Sequence, residues 1–181
     1  MNNSQTYEKI VKVKNKGKRL AVKISIVMCY LLFFSFWLVG ALQNIQSFVL
    51  IITGGLLSTA LLVIPTWKYL LLEYEYSFWY GRMGVAKIYG KKTRRSVIDT
   101  DIKDLLIIAP ATEEYIARAE RFDIESRVIA VSHKDADNIW LAVTGGKDER
   151  RILIFFEADG RCLAMLKAAN PLSFVKNNVS L

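Results

Sequence analysis

LLEYEYSFWYG, residues 71–81, alternates Tyr74, Tyr76 and Phe78 with Glu73, Glu75 and Ser77. A two-residue period of this kind is a strand with one face in a core and one in water. The stretch before it has the opposite character. No charged residue occurs between Lys23 and Lys68, so ISIVMCYLLFFSFWLVGALQNIQSFVLIITGGLLSTALLVIPTW is uncharged for 44 residues. At ~1.5 Å of rise per residue this run reaches about 66 Å as helix, roughly twice a ~30 Å hydrocarbon core. Two spans, 24–42 and 48–64, fit that length. Gln43, Asn44, Gln46 and Ser47 supply the turn between them, and Pro65 and Trp67 mark the exit at headgroup depth. A soluble helix pair carries a polar face, and neither segment has one.

The chain therefore divides into a basic N-terminal segment (1–23), a two-helix transmembrane hairpin (24–67) and a cytosolic β domain (68–181). The net charge of +8 is unevenly spread. Lys9, Lys12, Lys14, Lys16, Lys18, Arg19 and Lys23 precede the first span against Glu8 alone, whereas 68–181 carries 18 basic and 16 acidic residues. This is a juxtamembrane cluster, which the positive-inside rule places in the cytoplasm, and it argues against nucleic acid as the partner. An even number of spans returns the chain to that side, so both termini of a multi-pass protein of the cell membrane are expected to be cytoplasmic. Val39-Gly40-Ala41 loosely fits a signal-peptide cleavage site. The long basic region, the long apolar core and the second span argue against cleavage. Cys29 and Cys162 form no disulfide or metal framework at their spacing.

Beyond Gly81, RMGVAKIY (82–89) reads as the returning strand. Gly90-Lys91-Lys92 forms a second turn, and TRRSVID (93–99) a third strand. IKDLLIIAP (102–110) follows, stopped by Pro110. Residues 111–125 support either a short helix capped by Thr112 or an irregular connection. Strands resume at SRVIAVS (126–132), NIWLAVT (138–144) and RRILIFFE (150–157), joined by polar turns. ADGRCLAMLKAANP then sets Leu163, Met165, Leu166 and Ala169 at helical spacing, and Pro171 ends the helix. The fold expected is α+β: a helical hairpin, then about seven antiparallel strands closed by a C-terminal helix.

EYEYSFWYGRMGVAKI, KKTRRSVID, DLLIIAP and ILIFFEADGRCLAMLKAANP resemble a family of uncharacterised bacterial membrane proteins with two N-terminal transmembrane helices and a PH-like cytosolic domain. The resemblance spans nearly the whole chain. It implies the fold and the topology, and it brings no catalytic residue.

No cofactor or metal signature is present. Thr144-Gly145-Gly146-Lys147 lacks the spacing and following helix of a phosphate loop and reads as a hairpin turn. Asp99 with Asp101, and Asp135 with Asp137, are carboxylate pairs at strand ends, where solvated turns are the ordinary use. His133 stands without a second metal ligand or a thiol. Trp140, Phe155 and Phe156 read as core. Trp79 and Tyr80, at a hairpin tip, are candidate partner contacts unless they fold back over the sheet. Gly54 with Ser58, and Gly55 with Thr59, are small-residue pairs suited to close helix packing, first of all against the other span.

The sharpest feature is the basic hairpin. Between Tyr76 and Ile98 lie Arg82, Lys87, Lys91, Lys92, Arg94 and Arg95 and no acid. A strand rising ~3.3 Å per residue away from the bilayer and another returning would bring the Lys91-Lys92 turn back towards Lys68. Lys87, Lys91, Lys92, Arg94 and Arg95 are thus candidates to face an anionic leaflet, against the alternative of a charged edge that discourages strand aggregation. The reading is a non-catalytic, membrane-anchored module binding anionic headgroups or a protein partner. An accessory subunit of a membrane complex, with the helices as the contact element, is the alternative.

Overall fold

The computed structural model describes residues 6–14, 17–133, 135–145 and 150–175. Chain contacts divide it into two compact units. Lys14–Leu72 together with Tyr89–Thr93 form one, and the remaining described residues form the other.

The first unit is the helical hairpin. Helix α1 (Lys18–Gln43) and helix α2 (Phe48–Leu70) are joined through a short 3-10 turn at Ile45–Ser47. Both are long and apolar enough to cross a membrane, and almost none of their surface is buried within the chain. They pack antiparallel: Trp37 lies on Gly54 and Gly55, while Tyr30 and Thr66 share a hydrogen bond nearer the open end. A Cβ on Gly55 would stand 2.7 Å from Cβ of Trp37, so only glycine permits this approach. The hydroxyls of Ser58 and Thr59 turn back to the Gly55 carbonyl at 3.0 and 2.7 Å.

Sequence reasoning ends α2 near Pro65, but the helix continues to Leu70. Proline removes one N–H from the ladder and leaves the Leu61 carbonyl without its usual donor, yet the helix runs on for five residues beyond it.

The second unit holds two four-stranded sheets, eight strands among the described residues rather than about seven. The additional strand is β1 (Tyr7–Lys12), inside the segment that lysine content alone marks as a basic tail. Strand β1 precedes the helical hairpin, and β2 (Leu72–Trp79) follows it. The two pair antiparallel, from Tyr7 with Phe78 to Lys12 with Glu73. The membrane-length hairpin is therefore an insertion in the connection between two neighbouring strands.

Strands β3 (Arg82–Tyr89) and β4 (Thr93–Asp101) complete the first sheet in the order β1-β2-β3-β4. Its first tight turn places Tyr80 at φ 46° and Gly81 at φ 79°, and its second places Gly90 at φ 58° and Lys91 at φ 60°. Paired left-handed residues are the mirror-image turns whose twist suits a two-residue hairpin.

The second sheet runs β5 (Leu105–Pro110), β7 (Ile139–Thr144), β8 (Ile152–Glu157), β6 (Ser126–Ala130), with β6 and β8 parallel. Residues 111–125 do contain a helix, α3 (Glu113–Glu120). Thr112 occupies the capping position without a side-chain bond, and Glu113 and Glu114 complement the helix dipole instead. Tyr115, Ile116 and Phe122 cover Ile107, Leu141, Val143 and Leu153 on one face of this sheet. On the other face Phe156 meets Tyr76 edge to face, and the Tyr76 hydroxyl donates to the Ala130 carbonyl. Burial pushes the Tyr76 phenol far above its ordinary range. Trp140, on the same side, stacks on Phe174.

Helix α4 (Gly160–Ala169) buries Cys162 and Leu166 fully and leaves Leu163 and Met165 half-buried. Asp159 caps it, accepting from the Cys162 amide at 2.9 Å. The same carboxylate accepts from the Tyr7 hydroxyl and lies 3.6 Å from the Lys9 ammonium, so it also ties β1 to α4. Burial raises the Asp159 pKa, but these three partners outweigh it and hold the carboxyl below its usual range. Tyr7 moves the other way, pushed up to about 12 by burial and by Asp159.

Candidate functional site

The turn Tyr89–Lys92 belongs to the helical unit because it docks on the end of α2. The Gly90 amide donates to the Leu71 carbonyl at 2.8 Å, and a Cβ on Gly90 would meet Cβ of Lys68 at 2.9 Å. Tyr89 packs edge-on against Tyr69 with ring centroids 5.6 Å apart, and Lys68 Nζ stands 5.0 Å over the Tyr69 ring. Lys91 and Lys92 are exposed beside this contact. Arg19 and Lys23 open the antiparallel α1, so they lie at the same end of the hairpin as Lys68. A membrane-length helix here ends in a collar of cations and tyrosines, the residue types that favour headgroup depth.

Charge divides between the units with unusual sharpness. The residues of the helical unit include eight lysines and arginines and no acid, while the β unit carries seventeen of each sign. The whole surplus of +8 belongs to the helical unit.

The predicted basic residues separate into two groups. Lys91, Lys92 and Arg95 are exposed and Lys87 is half-buried, and none of the four joins an ion pair among the described residues. Arg94 is held: its Nη2 lies 2.6 Å from Oε1 of Glu75, a contact without hydrogen-bond alignment. Arg82 is held between Asp99 at 3.1 Å and Asp101 at 3.9 Å. The basic stretch is free of acids along the chain, but the acids bounding it, Glu75 and Asp99, fold back onto it. Strand parity is the signal for Glu75: it and Arg94 share the outer face of one sheet, on either side of β3.

Trp79 folds back over its own sheet. Its ring covers Gly84, where a Cβ would stand 2.7 Å from the indole. Tyr80 stays 85% exposed at the hairpin tip. Gly54 and Gly55 are taken up by Trp37 within the hairpin.

Among the described residues no three His, Cys, Asp or Glu side chains come together as a metal site. His133 contacts the neighbouring Ser132 hydroxyl at 2.7 Å. Burial pushes the Cys162 thiol up to about 12, which leaves it protonated and unreactive at neutral pH. Gly146–Glu149 of the polar turn lie outside the described residues.

No curated protein and no solved structure matches the chain. A family model described as Bacterial PH-like domain (DUF6106) matches residues 3–176, from the segment containing β1 through the apolar hairpin to the residues beyond α4. Two sheets, a closing helix and a family match over nearly the full length agree: the chain belongs to the bacterial PH-like domain family DUF6106.

Proposed function

We propose that the chain is a non-catalytic, membrane-anchored module whose cationic hairpin end engages anionic lipid headgroups of the cytoplasmic leaflet. The observation that carries the reading is the docking of the Gly90-Lys91-Lys92 turn on Lys68, in a unit that holds the entire positive surplus. Each cation near such a leaflet contributes about 1 kcal/mol. The pairing of β1 with β2, on either side of the inserted helices, supports both ends of the hairpin emerging on one side. The positive-inside rule makes that side the cytoplasm. The glycine face of α2 is occupied by Trp37, so a glycine-mediated contact with another membrane protein is not favoured.

The test is enrichment of labelled phosphatidylglycerol around the full chain reconstituted in phosphatidylcholine bilayers. Wild type is expected to enrich the anionic lipid. Lys91→Glu with Lys92→Glu lowers enrichment about thirtyfold or more, given ~1 kcal/mol for each of the two cations lost. Raising salt lowers it too, as the screening length falls from ~8 Å to ~3 Å. Equal enrichment by wild type and the double variant refutes the reading.

A further inference from the structure

The outer face of the first sheet carries a cavity of about 280 Å³ that the headgroup reading does not use. Its floor is Gly84 and Ala86, one wall is the Trp79 indole, and Arg94, Ser96 and Asp99 stand around it. Gly84 is what lets the ring lie down: a Cβ there would meet the indole at 2.7 Å and the Ser77 hydroxyl at 2.8 Å. Trp79 also lines a second cavity of about 260 Å³, together with Met165 and Ala168.

We infer that this cavity binds a neutral polyhydroxylated ring, a glycosyl group. The argument is one of charge and shape. Arg94 is already offset by Glu75 at 2.6 Å, and Asp99 by Arg82 at 3.1 Å. An anion would meet a guanidinium backed by a carboxylate, and a cation would meet a carboxylate already engaged. Neither gains a full countercharge. A neutral ring needs fixed planar donors and acceptors for its hydroxyls and an apolar surface for its C–H face. The guanidinium, the Ser96 hydroxyl and Asp99 supply the first, and the indole supplies the second.

The Ser77 hydroxyl, only 3.5 Å from the Gly84 carbonyl, is loosely engaged and available. Glu75 adds an independent sign. It is 7% exposed, and its Oε1 has no hydrogen-bond partner among the described residues. A buried carboxylate without an aligned donor is costly. A ligand that orders Arg94 from the cavity side would set the guanidinium over it. The volume falls near the lower bound of small-ligand pockets, ~300 Å³, and suits a single ring.

The experiment uses the full chain in a detergent without a sugar headgroup, read by calorimetric titration. Maltose tests free saccharide, and vesicles with and without glucosyl diacylglycerol test a glycolipid headgroup. Inorganic phosphate and lysine are the charged controls. The expected result is a saturable response to maltose, to the glycolipid vesicles or to both, weakened about tenfold (~1.4 kcal/mol) by Trp79→Ala. Ser96→Ala, at an exposed position, weakens it as well without touching the core. No saturable response to either glycosyl probe overturns the inference. So does a response unchanged by Ser96→Ala and Arg94→Gln, or a stronger one to phosphate or lysine.

Discussion

A chain cut at residue 68 will not fold, whereas one in which Lys12 is joined through Asn-Gly to Glu73 will fold without its helices. Strand β1 makes a six-residue ladder with β2 and closes one edge of the first sheet. Val11 is buried, and Tyr7 stacks on Phe78 with centroids 6.3 Å apart. Lys9 donates to the Glu157 carbonyl at 3.1 Å and stands beside Asp159. Removing the strand takes away apolar burial of about 1.5–3 kcal/mol for Val11 alone. Several backbone bonds of about 1 kcal/mol each go with it, and Asp159 loses two of its partners. Domains of this size are stable by only about 5–15 kcal/mol, so this is most of the margin. Lys12 and Glu73 are directly paired, and a two-residue mirror-image turn closes that gap. Circular dichroism on heating checks it: one cooperative transition for the joined chain and none for residues 68–181. A fragment 68–181 that melts as sharply as the joined chain would show that β1 is dispensable.

Asn170→Ala is expected to cost about 3–4 kcal/mol, because each buried polar group left unpaired costs about 1–3 kcal/mol. Asn170 is 6% exposed at the end of α4. Its Nδ2 donates to the carbonyls of Ile102 at 2.9 Å, Leu105 at 3.0 Å and Lys103 at 3.3 Å. Its Oδ1 accepts from the Ser173 amide at 3.2 Å. These bonds hold the turn before β5 to the segment that runs beside it, where Ile108 donates to the Ser173 carbonyl at 2.8 Å and accepts from Val175 at 2.9 Å. Asn170→Asp should cost at least as much, since a carboxylate faces the same carbonyls with no proton to give. Denaturant unfolding of the joined chain measures both. A loss under about 1 kcal/mol for the alanine variant would mean that water replaces the amide at little cost.

The elements that declare themselves in sequence have local causes. The 44 uncharged residues, the alternation from Tyr74 to Phe78 and the apolar spacing of Leu163 and Leu166 each act within one element. What escapes is non-local or chemically ambiguous. Tyr7, Lys9 and Val11 alternate as a strand, but three lysines make 6–14 look like a tail, and the partner strand lies beyond the whole inserted hairpin. Glu75 and Arg94 are nineteen positions apart and meet only once β3 is laid between them. Asn170 reads as a helix end before Pro171, and nothing along the chain reports the three carbonyls it serves. Tyr80 takes a positive φ that sequence reasoning assigns to glycine, and the turn overrides the preference of a bulky side chain.

The most direct test of the central claim, a β domain anchored by an inserted hairpin with its charged end in the cytoplasm, is thiol accessibility in sealed membranes. Single cysteines replace Asn44 at the hairpin tip and Tyr80 at the exposed strand turn, in a chain carrying Cys29→Ala, with Cys162 buried as it stands. An impermeant reagent should label Tyr80→Cys only from the cytoplasmic side and Asn44→Cys only from the opposite side. Labelling of both positions from the same side would contradict a hairpin that crosses the bilayer.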